Sequence, residues 1–303
     1  MTKAEKQTAP AETKTEGVKV EATDVVGAPV TGTLVAQGDD LDDLFAQAGL
    51  GLENTRAGDY AVPFLVVLQP LSPQVNKQNP DYVQGAEPGM IYNGVTKKLY
   101  NSIGLVPCEF RKVWVEWVTR EGGGSKAAPV GEHAINSGIE KTCTIDGKKR
   151  RRLPNGNTLV ETAYHYVLAY DEATGDTFQA VLSLDSTDLT PSRNWLTIMS
   201  NQEIKSPTTG AVAIAPTFSQ LYKATQKFRQ NDNGQWFNWA FEFDRPLYSK
   251  EGYTATEKDV VLRKKAQSFA KLIREGLVQV DRSTQASEEV SSEQQPAASS
   301  AAY

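Results

Sequence analysis

Lys223, Lys227 and Arg229 are the residues of this chain whose types and spacing most clearly suit a chemical task. Read with period two, they share one face of an extended segment, while Tyr222, Ala224 and Phe228 share the other. A row of cations on a strand whose other face is buried can run beside a phosphate backbone. A second cluster, Lys148, Lys149, Arg150, Arg151 and Arg152, follows the Asp146-Gly147 turn. On a loop, successive cations of this kind hold phosphates by charge alone. Single-strand binding also needs ring faces on which bases can stack. Phe237, Trp239, Phe241 and Phe243 fill the apolar face of their run, which leaves Trp236 free to project elsewhere. Trp114 shares a face with Lys112 and Glu116, opposite Val113, Val115 and Trp117, and is the second candidate stacking ring.

Signals for catalysis are sparse. The chain has no dinucleotide-binding glycine pattern, no phosphate-binding loop and no serine nucleophile elbow. Gly122–Gly124, followed by Ser125 and Lys126, lacks phosphate-loop spacing. His165 lies mid-strand between tyrosines, as a satisfied or surface histidine does. Cys108 falls with Val106 and Phe110 on one strand face and reads as a small core residue. Two cysteines and two histidines have no zinc-ligand spacing, so no metal and no cofactor is expected. Glu116, Glu242 and Asp244 are the nearest approach to the strand-end carboxylates of a metal-dependent nuclease. The expectation is a non-enzymatic protein.

The elements that must position these residues are mainly strands. The Asn-Asp-Asn-Gly turn at 231–234 predicts a β-hairpin over 217–245. The stretch TFSQLYKATQKF also carries helical spacing through Phe218, Leu221, Tyr222, Thr225 and Phe228, and as a helix it would disperse the cations. Upstream, short strands are expected over 60–68, 90–92 and 98–100, with a long one over 104–119. A Gly-rich loop at 121–131, short strands near 142–145 and 151–153, and a strand pair from Ala163 to Leu184 follow. A helix begins at Thr190 and Pro191, burying Trp195, Ile198 and Met199. A second helix spans 257–275, with Leu262, Ala266, Phe269 and Ile273 on its buried face and Gly276 ending it. The fold class expected is mainly β with added helices, either an OB-like barrel or a strongly curved antiparallel sheet.

Composition places this β-rich region at 59–280, between two acidic segments. Net charge is −5 overall, yet residues 59–282 carry +3. Residues 1–38 lack aromatics and periodicity and are expected to be disordered, as is the acidic tail at 281–303. Between them, Leu41, Leu44, Phe45 and Ala48 predict a short amphipathic helix in 39–58, which either packs onto the core or serves as an acidic docking peptide for a protein partner. No signal peptide or membrane span is legible, so the expected location is the host cytoplasm.

The runs GDYAVPFLVVLQPLSPQV, PGMIYNGVTKKLYN and LVPCEFRKVWVEWVTREGGG resemble uncharacterised tailed-bacteriophage proteins of replication modules. TDLTPSRNWLTIM and YKATQKFRQNDNGQWFNWAFEF are similar to the second half of that pattern. Some proteins of that kind are regarded as single-stranded DNA-binding proteins. The resemblance therefore implies an accessory role in phage replication or recombination, an OB-like core, single-stranded DNA as partner and replication proteins recruited through acidic tails. Two other classes stay open: a phage structural or host-interaction protein, and a metal-dependent nuclease.

Overall fold

The computed structural model describes residues 46–47, 50–55, 62–118, 129–232, 234–278 and 280. The expected helix at Leu41–Ala48, apart from Ala46 and Gln47, lies outside the described residues, as do the expected disordered segments 1–38 and 281–303. Residues 1–54 and 55–303 are separate compact units, and the elements below belong to the second.

A small sheet holds β1 (Leu65–Val67), β2 (Ile91–Asn93) and β3 (Leu99–Tyr100). The main sheet is built on β4 (Ile103–Trp117), flanked by β5 (Pro129–Ala134), β6 (Thr144–Ile145), β7 (Arg151–Arg152), β8 (Thr158–Tyr170) and β9 (Thr177–Asp185). Helix α1 (Leu189–Ser200) and the hairpin β10 (Glu203–Lys205) and β11 (Val212–Ile214) precede β12 (Gln220–Asn231) and β13 (Gly234–Pro246); α2 (Glu257–Arg274) follows. The main sheet runs β13-β12-β4-β8-β7-β6, with β5 beside β4 and β9 beside β8. All its pairs are antiparallel, and it curls into a half-barrel. The expected mainly β fold with added helices and a strongly curved antiparallel sheet forms, and its half-barrel is compatible with an OB-like core.

Period-two patterning builds both faces. On β8, Tyr164, Tyr166, Leu168 and Tyr170 enter one core cluster, which α2 covers with Leu262, Ala266, Phe269, Ala270 and Ile273. Thr256 caps α2 in a capping box with Asp259, and Gly276 takes the left-handed conformation (φ 73°) that ends it. The alternate residues Ala163, Val167 and Ala169 face the opposite side and enter a second core cluster, into which α1 inserts Trp195 and Met199. Trp195 is fully buried and stacks on Phe241, with centroids 4.0 Å apart, while the His165 ring lies 4.8 Å away. Helix α1 begins at Leu189 with Asp188 at its N-cap position, two residues before the start at Pro191 that an N-cap at Thr190 predicts.

The segment carrying β1 crosses the open side of the half-barrel. Phe64 bridges Val181 in β9, whose N–H donates to the Pro63 carbonyl at 2.9 Å. At the other end of the segment the Gln69 side chain meets β13: its Nε2 donates to the Phe237 carbonyl (2.9 Å) and its Oε1 accepts from the Phe237 N–H (3.0 Å). Gly89 lies against the same residue. With φ at 93°, a Cβ there would come 2.9 Å from the Phe237 ring, so glycine is required.

Three local expectations are corrected. The Gly-rich loop was expected to extend to Gly131, yet Pro129–Gly131 opens β5, because those residues pair with the end of β4. Residues 203–205 and 212–214 form a hairpin where a loop was expected. Cys108 and Phe110 do not share a face, since a bulge between Pro107 and Glu109 shifts the register. Cys108 therefore joins Val106 under α2, where burial pushes its thiol up to about 12, and Phe110 turns to the cluster around Trp195.

Candidate nucleic-acid interface

The stretch from Gln220 to Asn231 is a strand, paired with β13 up to Asn231 opposite Gly234. Directly opposed residues of an antiparallel pair share a face. Lys223 lies opposite Glu242, Thr225 opposite Ala240, Lys227 opposite Asn238, and Arg229 opposite Trp236. One face of the hairpin thus carries all three expected cations together with the expected ring. The other face, with Tyr222, Ala224, Trp239, Phe241 and Phe243, joins the core around Trp195. Lys223, Lys227 and Arg229 are exposed, and among the described residues none of them is in an ion pair.

Trp236 is half-buried, and its Nε1–H donates to Asn238 Oδ1 at 2.9 Å. Asn238 Nδ2 donates in turn to Asp188 Oδ1 (2.7 Å) and Thr187 Oγ1 (2.8 Å), and the Trp239 N–H also donates to Asp188 Oδ1 (3.1 Å). Burial pushes the Asp188 carboxyl up to about 7 despite the bonds from Asn238 and Trp239, and the Asp185 carboxyl adds to the rise. Neither Asp188 nor Asn238 was legible as a site residue, because the contact joins positions fifty residues apart. Phe228, 49% exposed, meets Phe237 edge-on at 5.4 Å, so its ring is the exposed end of the apolar face.

The second basic cluster is arranged otherwise. Arg150 and Arg152 each place Nε 3.0 Å from Asp146 Oδ2, and the Lys148 and Arg150 N–H groups donate to Asp146 Oδ1 at 2.9 Å. Burial would raise the Asp146 carboxyl, but these backbone and guanidinium partners outweigh it and hold the group well below the usual carboxylate range. Lys149 takes a positive φ of 61° in the turn. The Arg151 guanidinium sits 4.9 Å from the centroid of the Trp114 ring. Trp114 is only 5% exposed, packed with Leu153 and Leu159, and donates its Nε1–H to the Ile135 carbonyl. The expectation that Trp114 offers a stacking face is therefore corrected: β7, paired to β8, lays Arg151 over the ring.

The two clusters also stand far apart. Lys223 pairs beside Gly104, whereas Arg152 pairs with Thr158, which itself lies opposite Trp117. Gly104 and Trp117 are thirteen residues apart on β4, roughly 40 Å of extended strand. No single track along the sheet joins them.

The carboxylates considered for metal chemistry are likewise separated. Glu116 lies at the Arg152 end, where Asn157 (2.6 Å) and Asn155 (2.8 Å) donate to its Oε1 and His133 Nε2 is 2.9 Å from Oε2. The bonds from Asn157 and Asn155 outweigh burial and hold its carboxyl below the usual range. Glu242 faces Lys223, and Asp244 pairs with Arg245, both on the hairpin. Among the described residues no group of three or more His, Cys, Asp or Glu is spaced to hold a metal ion. His165 is buried, its Nε2 2.8 Å from Ser192 Oγ, and burial pulls it down to about 3, so it is a neutral core residue.

Fold and site together define a mainly β protein: a two-helix half-barrel with a cationic hairpin at one edge. The family model of the Pam3 phage gp34-like protein matches residues 32–275, and the chain belongs to that family. The phage kinship expected from the resemblance is thereby supported. No curated protein and no solved structure matches the chain. No helix among the described residues is long and apolar enough to cross a membrane.

Proposed function

We propose that this protein is a non-enzymatic single-stranded DNA-binding protein of a phage replication or recombination module, acting in the host cytoplasm. The supporting observation is the register of β12 on β13, which sets Lys227 beside Asn238 and Arg229 beside Trp236 on one face while the opposite face is core. Phosphates follow Lys223, Lys227 and Arg229, and a base stacks on Trp236, a contact worth on the order of 1–3 kcal/mol. The cluster at Lys148–Arg152 plays at most a secondary part, because Asp146 and Trp114 already engage three of its arginines. Titration with oligo-dT at two salt concentrations tests this reading through tryptophan quenching. Binding that weakens steeply with salt, and quenching that Trp236→Phe abolishes, are expected; absence of any salt-dependent binding removes it.

A second reading, a phage protein that docks a protein partner, is favoured by one feature. Val212 and Ile214, on β11, are 57% and 67% exposed. It expects no affinity for oligo-dT and loss of the partner complex on replacing both residues by Ser.

A further inference from the structure

The amide of Asn238 has no freedom left. Its two hydrogens go to Asp188 Oδ1 and Thr187 Oγ1, and its oxygen accepts from the Trp236 indole. Reversing the amide would set its oxygen against the Asp188 carboxyl and its nitrogen against the indole N–H, losing both of those bonds and leaving only the Thr187 hydroxyl able to turn and donate. Asn238 is itself 5% exposed, so water does not substitute for a lost partner without rearrangement. Thr187 and Asp188 are fixed from below. They lie in the single 3-10 turn Ser186–Asp188, whose Ser186 adopts a positive φ of 45°, immediately before α1. Helix α1 is anchored by the Trp195–Phe241 stack onto β13, three residues beyond Asn238. The indole edge is therefore tied through two side chains to the most buried part of the molecule, although its ring lies on the exposed hairpin face.

We propose that Asn238, held by Asp188 and Thr187, is the positioning residue for Trp236, pinning the indole by its N–H so that the ring stands beside Arg229 and Lys227 to receive a nucleic-acid base. This rests on the single-strand-binding reading above and adds a reason for its aromatic contact. Ring stacking is effective when the ring is held before the ligand arrives, because ordering a free side chain on binding subtracts from affinity. An edge-on hydrogen bond leaves the π-face open, whereas packing on the face would consume it. Sequence alone shows a tryptophan at a strand start; the support is formed by a turn from another part of the chain.

Labelling the full chain with 5-fluorotryptophan tests this in two stages. The Trp236 resonance is assigned with Trp236→Phe, and the Trp195 and Trp239 signals report whether the core is intact. In Asn238→Ala the Trp236 signal is expected to shift and sharpen toward that of a mobile indole while the Trp195 signal stays in place. Affinity for oligo-dT should then fall about as far as in Trp236→Ala, roughly five- to hundredfold. The Asn238→Ala/Trp236→Ala double variant should lose nothing further. Should Asn238→Ala disturb the core signals, Thr187→Val, which keeps the shape and removes one acceptor, serves in its place with a smaller shift expected. An unmoved Trp236 signal in a folded variant overturns the positioning role, even if oligo-dT binding persists. Full loss in Trp236→Ala with wild-type affinity in Asn238→Ala does the same. Wild-type protein that does not bind oligo-dT at all overturns the surface reading itself, and with it the purpose of the support.

Discussion

At one end of the β4–β8 ladder, Arg150 and Arg152 converge on Asp146 and Arg151 covers Trp114. At the other, Lys223, Lys227 and Arg229 stand exposed along a hairpin, with no ion pair among the described residues. Charge density along the chain does not rank these regions by the exposure of their cations. KKRRR is the denser cluster, but a carboxylate two residues before it and an indole brought up by the register of β4 and β8 give its arginines intramolecular partners. The hairpin cations are sparser, yet alternation keeps them on one face and the core takes the other. What separates an exposed row of cations from a braced turn here is the location of the nearest acceptor, not the number of cations.

The largest effect should come from reversing charge on the hairpin. Lys227→Glu with Arg229→Glu should weaken oligo-dT binding roughly tenfold or more at low salt and reduce the slope of log affinity against log salt by about 1.4. The matching pair Arg150→Gln with Arg152→Gln should leave that slope nearly unchanged; a loss as large as the hairpin's would erase the distinction. Next, Asp146→Ala should destabilise the turn by about 1–2 kcal/mol, read as a lower urea midpoint and faster amide exchange over 144–158.

Acid should then act on the two ends in opposite directions. The Glu116 carboxyl is held below its ordinary value, so its contribution is complete above about pH 4.3 and is lost as pH falls through the folded value. The Asp188 carboxyl is raised to about 7, so the folded state holds a proton the unfolded chain has released, and stability declines as pH rises from about 4 to 7. Urea midpoints measured from pH 2 to 8 should lose this decline in Asp188→Asn, while Glu116→Gln should remove the loss at the acid limb below about pH 4. The smallest change expected is in Arg151→Ala, where losing the cation over Trp114 costs about 0.5–1 kcal/mol and brightens or shifts tryptophan emission without altering oligo-dT affinity.

Much of the frame was legible because period-two patterns carry their own face assignment. Tyr164 to Tyr170, Phe237 to Phe243 and the Leu262–Ile273 stripe each take the side their alternation or helical spacing predicts. The hairpin at 220–246 was legible only in part: alternation and turn residues favoured it, the helical spacing of Phe218 to Phe228 competed, and the pairing of β12 with β13 is what decides for the strand. What could not be seen are the relations between segments. A single bulge residue, Cys108, moves Phe110 to the other face, and no residue type marks it. The burial of Trp114 depends on which strand β7 joins. The hydrogen bonds around Trp236 depend on a turn that reaches β13 where α1 packs Trp195 on Phe241. Local chemistry named Trp236 as a candidate; only topology names what holds it.

Gln69 closes the half-barrel as a clasp rather than a weld. One amide side chain offers Phe237 the donor and acceptor that a neighbouring strand would otherwise supply. An uncovered sheet margin invites other chains to add to it. Here that margin is occupied at Phe237 by Gln69 and at Trp239 by Asp188, side chains that fill the ladder positions but cannot propagate them. A chain of this design can be crowded at high local density without its hairpins zipping into a continuous sheet. Gln69→Ala should expose this directly, as concentration-dependent aggregation in light scattering at temperatures where the wild type stays dispersed.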